Sequence, residues 1–319
     1  MKILLWHVHG SWTDAFVHGR HDYLLPALPE GGPWGLGRAD RDWPDNVRDV
    51  SPDRMELEDV DVVILQRPED LAAAEQLLGR KPGVDVPAVY VEHNTPRGDV
   101  PDTVHPLADQ TDIPIAHVTY FNELLWDNGS APTTVIEHGI RDPGHLYTGE
   151  QPHFAVVSNE PVRRWRVTGT DLLPGFAGIA PVDLFGMGTD GVHEATGISP
   201  KKLRVHGDLK RGQLHREMAQ RRIYLHTVRW TSLGLSLLEA MHLGMPVLAL
   251  GTTEAIRAVP AEAGFLSTRM DDLHHAALRL LNDPWRAQAM GTTARSFALE
   301  RYGLQRFLRD WDELLADVV

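Results

Sequence analysis

The apolar residues in the first half of the chain fall into short continuous runs, separated by polar stretches rich in turn-forming residues. Lys2–Val8, Asp61–Leu65, Ala88–Val91 and Thr134–Ile136 are such runs. Continuous β-branched runs are typical of strands that are buried on both faces of a parallel sheet. The alanines and leucines of Glu69–Leu78 predict a helix between two of these strands. The pattern therefore indicates strands that alternate with helices.

The same alternation restarts after residue 150. Its predicted strands are Phe154–Val157, Val182–Phe185, Ile223–His226 and Pro246–Leu250. Strands that alternate with helices favour parallel sheets with helices on both faces. Two such runs of similar length predict an α/β protein made of two Rossmann-like domains.

The boundary between the two domains is predicted within residues 138–153. This stretch is rich in glycine and proline, and such a cluster is typical of a linker. A chain of 319 residues is long enough for two domains. We therefore expect an N-terminal domain over residues 1–150 and a second domain that begins at residue 151.

Composition places the chain among globular proteins. Hydrophobic residues make up 42% of it and charged residues 24%, which excludes wholesale disorder. The chain has no cysteine, which excludes disulfides, thiolate metal sites and a cysteine nucleophile. The apolar run behind Lys2 is too short for a signal peptide, and no stretch approaches the ~20 apolar residues of a membrane span. These features predict a cytoplasmic protein.

The net charge of −13 is unevenly distributed. Residues 1–150 hold 11 Lys and Arg against 26 Asp and Glu, whereas the remaining residues are close to neutral. An acidic first half would repel nucleic acids and anionic lipids. We therefore expect no nucleic-acid partner and no membrane association. The second half could hold a small polyanion such as a nucleoside diphosphate.

Residues 229–250 have the pattern of a loop, a helix and a strand. The helix is predicted over Leu235–Leu243, because Gly244 ends it before the next strand. Thr231 or Ser232 is expected to cap the start of this helix. The free N–H groups at such a helix start favour the binding of an anion.

Gly234 and Glu239 give this helix the features of a nucleotide site. A glycine lets a ligand approach the backbone closely. Glu239 lies about one turn into the helix, where its carboxylate can accept hydrogen bonds from both hydroxyls of a vicinal diol. Phosphates at the helix start and a ribose at the carboxylate would fit a nucleotide. Taken alone, Glu239 could equally be an exposed carboxylate on the helix surface.

In this stretch the sequence resembles the retaining glycosyltransferases of the GT-B fold, specifically glycosyltransferase family 4. The signature of that family is Glu-Gly-Phe-Gly-Leu-x-x-x-Glu, and residues 231–239 lie on it without a gap. Further along, Ala261–Leu266 looks like the turn that follows the family's donor site. Arg301 and Tyr302 look like the point where the chain crosses back to the first domain. The motifs cover the second half of the chain, and the first half matches in layout.

The resemblance implies a GT-B fold, in which two Rossmann-like domains have parallel sheets that face a central cleft. It implies that residues 1–150 bind the acceptor and that residues 151–302 bind a nucleotide-diphosphate sugar, the donor. A C-terminal helix over residues 303–319 would cross back to the N-terminal domain.

The resemblance also implies roles for the motif residues. Glu239 would hold the donor ribose. The backbone N–H groups of Gly234 and Leu235 would hold the distal phosphate, with Thr231 and Ser232 beside them. The family's first glutamate is Thr231 here, and threonine cannot supply a carboxylate. Either the donor sugar is held differently, or catalysis is weakened, or transfer is lost.

Three arginines are candidates for neutralising the pyrophosphate of the donor. The family places an arginine and a lysine after the first strand of its second domain, and this chain has Arg163, Arg164 and Arg166 there. Thr168 takes the place of the lysine. Arginine suits phosphate because it stays charged and offers forked donors. The alternative is a solvated basic loop.

In the first domain, His93 and Gly10 match positions that the family uses. His93 ends a predicted strand, and the resemblance implies that it faces the donor sugar as a catalytic residue together with Glu239. The alternative is a loop histidine that is bonded to the backbone. Gly10 follows the first strand, where the family has a glycine pair that touches the pyrophosphate. Trp12 is expected to be a core residue rather than a platform on which a sugar stacks.

These features together predict a retaining, metal-independent glycosyltransferase that moves a sugar from a nucleotide-diphosphate sugar to a small-molecule or glycan acceptor. No cofactor is expected, and no histidine pair has a third ligand nearby that would make a metal site. The acid excess of the first half favours a neutral or cationic acceptor. Two alternatives are a non-catalytic module that binds a nucleotide sugar, and a GT-B sugar-nucleotide epimerase or hydrolase.

Overall fold

A computed structural model describes all residues from 1 to 319. The chain forms two units. The N-terminal unit comprises Met1–Arg141 and Leu304–Val319, and the C-terminal unit comprises Asp142–Gly303. The chain therefore leaves the first unit once and returns to it for its last helix.

The two units together contain thirteen strands and twelve α-helices. The strands are β1 Lys2–Leu5, β2 Asp22–Pro26, β3 Val47–Val50, β4 Val62–Leu65, β5 Ala88–Glu92, β6 Ile115–His117, β7 Thr133–Val135, β8 Gln151–Val157, β9 Val182–Phe185, β10 Leu203–Gly207, β11 Arg221–His226, β12 Val247–Leu250 and β13 Gly264–Ser267. The helices are α1 Gly10–Phe16, α2 Asp70–Leu78, α3 Tyr120–Leu125, α4 Trp165–Thr168, α5 Leu173–Ile179, α6 Val192–Thr196, α7 Arg211–Gln220, α8 Leu235–Leu243, α9 Ala255–Ala258, α10 Met270–Asn282, α11 Pro284–Arg301 and α12 Leu304–Val318. Short 3-10 helices span Pro52–Leu57 and Thr170–Leu172.

The N-terminal unit is built on a seven-stranded parallel sheet of order β3-β2-β1-β4-β5-β6-β7. Every side chain of β4 is fully buried, as expected of a central strand with a continuous apolar sequence. One face of the sheet packs against α1 and α12, and the other packs against α2. The strand order reverses between β1 and β4, which is where open α/β sheets bind ligands.

Helix α12 belongs to the N-terminal unit because its apolar stripe completes that core. Phe307, Trp311 and Leu315 recur every four residues, so they share one helix face, and all three are buried. The Trp311 ring meets the Trp12 ring edge-to-face, with the ring centroids 5.7 Å apart. Trp12 itself is buried, which confirms the prediction that it is a core residue.

The C-terminal unit is built on a six-stranded parallel sheet of order β10-β9-β8-β11-β12-β13. Its core includes Phe154, Phe176 and Leu184, all fully buried. The order reverses between β8 and β11. The predicted class, two Rossmann-like α/β units with parallel sheets, is confirmed.

The structure contains strands that the hydrophobic pattern does not predict. β2 and β3 are short and interrupted by charged or proline residues, so they show no continuous apolar run. The turn predicted over Ala261–Leu266 covers only residues 261–263, and Gly264–Ser267 forms β13, which pairs in parallel with β12. β1 ends at Leu5 rather than at Val8. None of the helices has both the length and the apolar content needed to cross a membrane.

Candidate functional site

The start of α8 lies at the carboxyl edge of the second sheet, directly after β11. The helix runs from Leu235 to Leu243 as predicted, and Gly244 ends it with a φ of 88°. The residue at the N-cap is Gly234, which has no side chain that could cap the helix. The prediction that Thr231 or Ser232 caps it is therefore wrong. A hydroxyl caps a helix from the N-cap position itself, and the helix begins too late for either residue.

Gly234 is required by its packing against His226, the last residue of β11. A Cβ atom on Gly234 would lie 2.8 Å from Cε1 of the His226 ring. Burial lowers the pKa of His226 to about 4, so the ring is neutral at pH 7. A neutral ring thus packs against Gly234 at the helix start and adds no charge that would oppose an anion there.

Glu239 is buried one turn into α8. Its side chain is 7% exposed, so it is not the surface carboxylate of the alternative interpretation. The Oε1 atom lies 3.5 Å from Nη2 of Arg211, and the Oε2 atom lies 3.5 Å from Nε2 of His215. Both partners belong to α7, which packs against α8. Neither partner is predicted from the sequence, although their spacing of four residues places them on one helix face.

The three candidate arginines lie after β8, and two of them are paired with nearby carboxylates. Arg163 is exposed, and its Nε donates to Oε1 of Glu160 at 2.7 Å. Arg166 is also exposed, and its Nη1 donates to Oδ2 of Asp171 at 2.6 Å. Arg164 is half-buried at the start of α4. The structure thus brings the arginines to the carboxyl edge of β8 but gives two of them carboxylate partners.

A further arginine, Arg229, connects the loop after β11 to the short helices that follow β8. Its guanidinium donates to both oxygens of Asp171, at 2.6 and 2.9 Å, and its backbone N–H donates to the carbonyl of Val167. Hydrogen bonds from Arg229 are the main cause that lowers the pKa of Asp171. Arg229 is the first residue of the stretch 229–250. The sequence predicts no role for it, because its partner, Asp171, lies far away along the chain.

Thr168 also takes part in the hydrogen bonds between these two segments. Its hydroxyl lies 2.9 Å from that of Thr170 and 3.3 Å from the carbonyl of Trp165, and its carbonyl accepts from Thr227. The side chain is buried. Gly169 has a φ of 71°, and a Cβ there would overlap the carbonyl oxygen of Thr227. The residue in the family's lysine position is therefore a packing residue in this chain.

The carboxyl ends of β8 and β9 also carry polar groups. The Ser158 hydroxyl, directly after β8, is buried and has no hydrogen-bond partner. The side chain of Asn159 accepts from the backbone N–H of Met187, beyond β9. Because the sheet order reverses beside β8, these groups and the start of α8 lie at the edge where such sheets bind ligands.

In the N-terminal unit, His93 lies immediately after β5 and is buried. Its Nε2 lies 3.1 Å from Oε1 of Gln66, whose Nε2 donates to the carbonyl of Trp6. Because Gln66 presents its oxygen, His93 Nε2 must carry the hydrogen. Burial holds the pKa of His93 well below its ordinary value, so the ring is neutral. The partner of Nε2 is therefore a side chain.

Gly10 begins α1, and its surroundings do not demand a glycine. A Cβ there would lie 3.5 Å from Nη2 of Arg41 and 3.7 Å from Nε2 of His7, which are ordinary contacts. The neighbouring His9 ring lies against the His93 ring, with the centroids 3.9 Å apart. Gly10 and His93 are thus close to one another through His9. No group of three or more His, Cys, Asp or Glu side chains is arranged to hold a metal ion.

Comparisons with known proteins match one region of the chain to a family and the whole chain to a fold. A family model described as "Glycosyl transferases group 1" matches residues 194–297, a region that contains α7, α8 and Glu239. No curated protein matches the chain.

Solved structures match over almost the whole chain. The HepE protein of Anabaena, in complex with UDP, has a TM-score of 0.75 and 15% identity over 99% of this chain and 100% of its own. Sucrose-phosphate synthase from Thermosynechococcus elongatus has a TM-score of 0.72 and 13% identity over 99% of this chain and 98% of its own. A glycosyltransferase from Rickettsia africae has a TM-score of 0.70 and 11% identity over 99% and 97%.

At these low identities the likeness establishes the fold. The chain has the GT-B fold, and its C-terminal unit carries the region that matches the group 1 glycosyltransferase model.

Proposed function

We propose that this protein is a glycosyltransferase that moves a sugar from a nucleotide-diphosphate sugar to a small-molecule or glycan acceptor. The C-terminal unit would bind the donor and the N-terminal unit the acceptor. The match to group 1 glycosyltransferases supports the reaction class. HepE, which shares the fold, has been solved with UDP, with UDP-glucose, and with UDP and glucose, which makes a UDP-sugar the first donor to test.

The observation that carries this proposal is the buried Glu239, one turn behind a helix start whose N-cap is a glycine. The carboxylate would accept hydrogen bonds from the ribose hydroxyls. The backbone N–H groups of Gly234 and Leu235 would bind the distal phosphate, because the helix dipole favours negative charge at that end. Thr231 and Ser232 would line the path to the donor sugar.

The proposed pyrophosphate contacts come from Arg163, Arg164 and Arg166. Exposed ion pairs contribute little to stability, so Arg163 and Arg166 can exchange their carboxylate partners for phosphate oxygens at little cost. Arginine binds phosphate with paired donors, so for Arg163 the exchange would replace one forked interaction with another.

We further propose that transfer proceeds with retention and without a metal ion. The leaving phosphate oxygen would take the proton of the acceptor hydroxyl as the new glycosidic bond forms. The protein would then supply positioning and fixed hydrogen bonds rather than a dedicated base. His93 would contribute as a neutral hydrogen-bonding group to a sugar hydroxyl, since its low pKa keeps it uncharged.

Thr231 favours a second candidate function, a module that binds a nucleotide sugar without transferring it. It replaces the carboxylate that the family places near the donor sugar. Thr168 adds to this argument because it replaces a lysine and is buried in packing contacts. Such a module would bind the nucleotide but would neither hydrolyse nor transfer the sugar.

The first experiment is a thermal-shift panel with UDP, GDP, ADP, TDP and CDP on the wild type and on Glu239→Ala. A nucleotide at ~100 times its Kd stabilises the native state by about 2.7 kcal/mol. We expect one nucleotide to raise the Tm of the wild type and to leave that of Glu239→Ala unchanged. Glu262→Ala, at an exposed glutamate of the same unit, is the matched control.

The two candidate functions separate in a second assay with the sugar nucleotide of the selected base. Release of free nucleotide that depends on an added sugar acceptor supports transfer, and binding without release supports the module. NMR of the product anomer then tests retention, and the same assay in EDTA tests metal independence. If no nucleotide shifts the wild-type Tm, the donor site itself is wrong.

A further inference from the structure

Two side chains of α7 hold the Glu239 carboxylate from one side. Arg211 and His215 are four residues apart, so both point from one face of α7 toward α8. Arg211 meets Oε1 and His215 meets Oε2, each at 3.5 Å. A donor thus stands at each oxygen of the buried carboxylate.

The chemistry of the His215 contact follows from its partner. A carboxylate only accepts hydrogen bonds, so the ring nitrogen that faces it must carry a hydrogen. The Nε2 atom of His215 is buried and has no hydrogen-bond partner within ordinary hydrogen-bonding distance. The side chain of His215 is 5% exposed, so it cannot turn toward water, and Glu239 is the acceptor that it faces.

The remaining capacity of the carboxylate matches a vicinal diol. An ionised carboxylate has about four lone-pair sites on its two oxygens. Arg211 and His215 each lie beside one oxygen at 3.5 Å, longer than an ordinary hydrogen bond, so each oxygen can still accept a hydrogen bond from a ligand. Two adjacent hydroxyls of a ribose supply the two matching hydrogens, whereas a 2′-deoxyribose supplies one.

We propose that Arg211 and His215 are positioning residues that orient Glu239 for a ribose diol and so make the site selective for ribonucleoside diphosphates over their 2′-deoxy counterparts. This inference rests on the proposed function, since it deepens the role of Glu239 in the donor site. It also narrows the range of nucleotides that the donor can contain, because a deoxynucleotide such as dTDP is expected to bind weakly. Neither positioning residue needs to touch the nucleotide.

The test compares Kd values for UDP and 2′-deoxy-UDP by calorimetry, or for the corresponding ADP or GDP pair if the thermal panel selects that base. The wild type is expected to prefer the ribonucleotide about tenfold, the value of one hydrogen bond to a charged group. His215→Leu and Arg211→Met are each expected to reduce that preference to about threefold or less. His215→Gln keeps an N–H donor and is expected to restore it.

Two variants serve as matched controls. His274→Leu removes another helix histidine whose Nε2 has no partner, on α10 rather than α7. Arg216→Met removes an exposed arginine of α7. Both are expected to keep the wild-type preference, which separates orientation of Glu239 from general loss of packing or charge.

The outcomes distinguish this inference from the proposed function. If no nucleotide binds the wild type, the proposed function fails. If the wild type binds ribonucleotide and deoxynucleotide equally, or if both substitutions on α7 leave the preference intact, the positioning roles are wrong and the nucleotide site stands. If His215→Leu does not fold, the half-buried Arg211→Met decides the question alone.

Discussion

Gly234 shows how one missing atom shapes the start of α8. At that position the imidazole of His226 lies so close that a Cβ would come to 2.8 Å from Cε1. The φ of Gly234 is −70°, which any residue can adopt, so the constraint is steric rather than conformational. The helix start and the end of β11 therefore fix each other.

Gly234→Ala is expected to destabilise the protein by about 1–3 kcal/mol and to weaken nucleotide binding, because the added carbon forces the ring or the helix start to move. Urea unfolding and the thermal-shift panel measure the two effects. Adding His226→Ser to the variant should restore part of the stability, because it removes the clash.

The matched control is Gly212→Ala on α7, where a Cβ would lie 3.6 Å from Nη1 of Arg216, an ordinary contact. In an exposed helix this exchange should stabilise by about 0.4–1 kcal/mol. Equal effects at the two glycines would contradict the steric argument at Gly234.

At the scale of elements, hydrogen bonds connect the loop after β11 to the short helices that follow β8. Arg229 donates to the carboxylate of Asp171 and to the carbonyl of Val167. Thr227 donates to the carbonyl of Thr168. Arg166 reaches the same Asp171 from the outer side. The side chain of Arg229 is 24% exposed and that of Arg166 is 70% exposed. The two arginines therefore share a partner but differ in burial.

Arg229→Met is expected to lower the free energy of unfolding by about 1–3 kcal/mol, because it leaves Asp171 without its paired donors. Arg166→Met should change it by less than about 0.5 kcal/mol, as surface substitutions usually do. Equilibrium denaturation measures both. If Arg166 binds pyrophosphate as proposed, its variant should instead lose nucleotide affinity while keeping its stability. A large loss of stability in Arg166→Met would argue against that separation.

At the scale of the whole molecule, buried neutral histidines are a recurring feature of both units. Burial lowers the pKa of His9 and His117 to about 4 and that of His138 to about 3 in the N-terminal unit. It lowers the pKa of His226 to about 4 in the C-terminal unit. The unfolded chain would bind protons at these positions near pH 6.5, and the native state would not.

The protein is therefore expected to lose stability in mild acid. The unfolded state binds more protons below about pH 6.5, so the free energy of unfolding is constant above that pH and falls as the pH drops toward about 4. Each such histidine contributes a slope of up to about 1.4 kcal/mol per pH unit in that window. Urea unfolding at pH 7.5, 6.0 and 5.0 measures the slope.

Two variants test which histidines cause the change of the free energy of unfolding with pH. His117→Gln should make the slope shallower by the share of one histidine, whereas His275→Gln, at an exposed position of α10, should leave it unchanged. A free energy of unfolding that stays constant between pH 7.5 and 5.0 would show that these rings are not held neutral in the native state.

The sequence by itself determined the class of fold and the helix that carries Glu239. Continuous apolar runs such as β4 and β12 are typical of strands that are buried on both faces. They can therefore be recognised from the sequence without knowing which elements cover them. Glycine ended α8 where the sequence predicted, because the left-handed conformation at Gly244 favours that residue. By contrast, β2 and β3 have no apolar run, and the capping of α8 depends on where its first turn begins.

The tertiary structure alone decided how charges and polar groups are paired. The partners of Glu239 come from α7, that of Arg229 comes from the loop after β8, and that of His93 comes from the end of β4. A side chain's charge state and orientation depend on burial and on neighbours that folding brings together. The sequence therefore predicted the stretch that carries Glu239, and the fold determined which side chains lie against it.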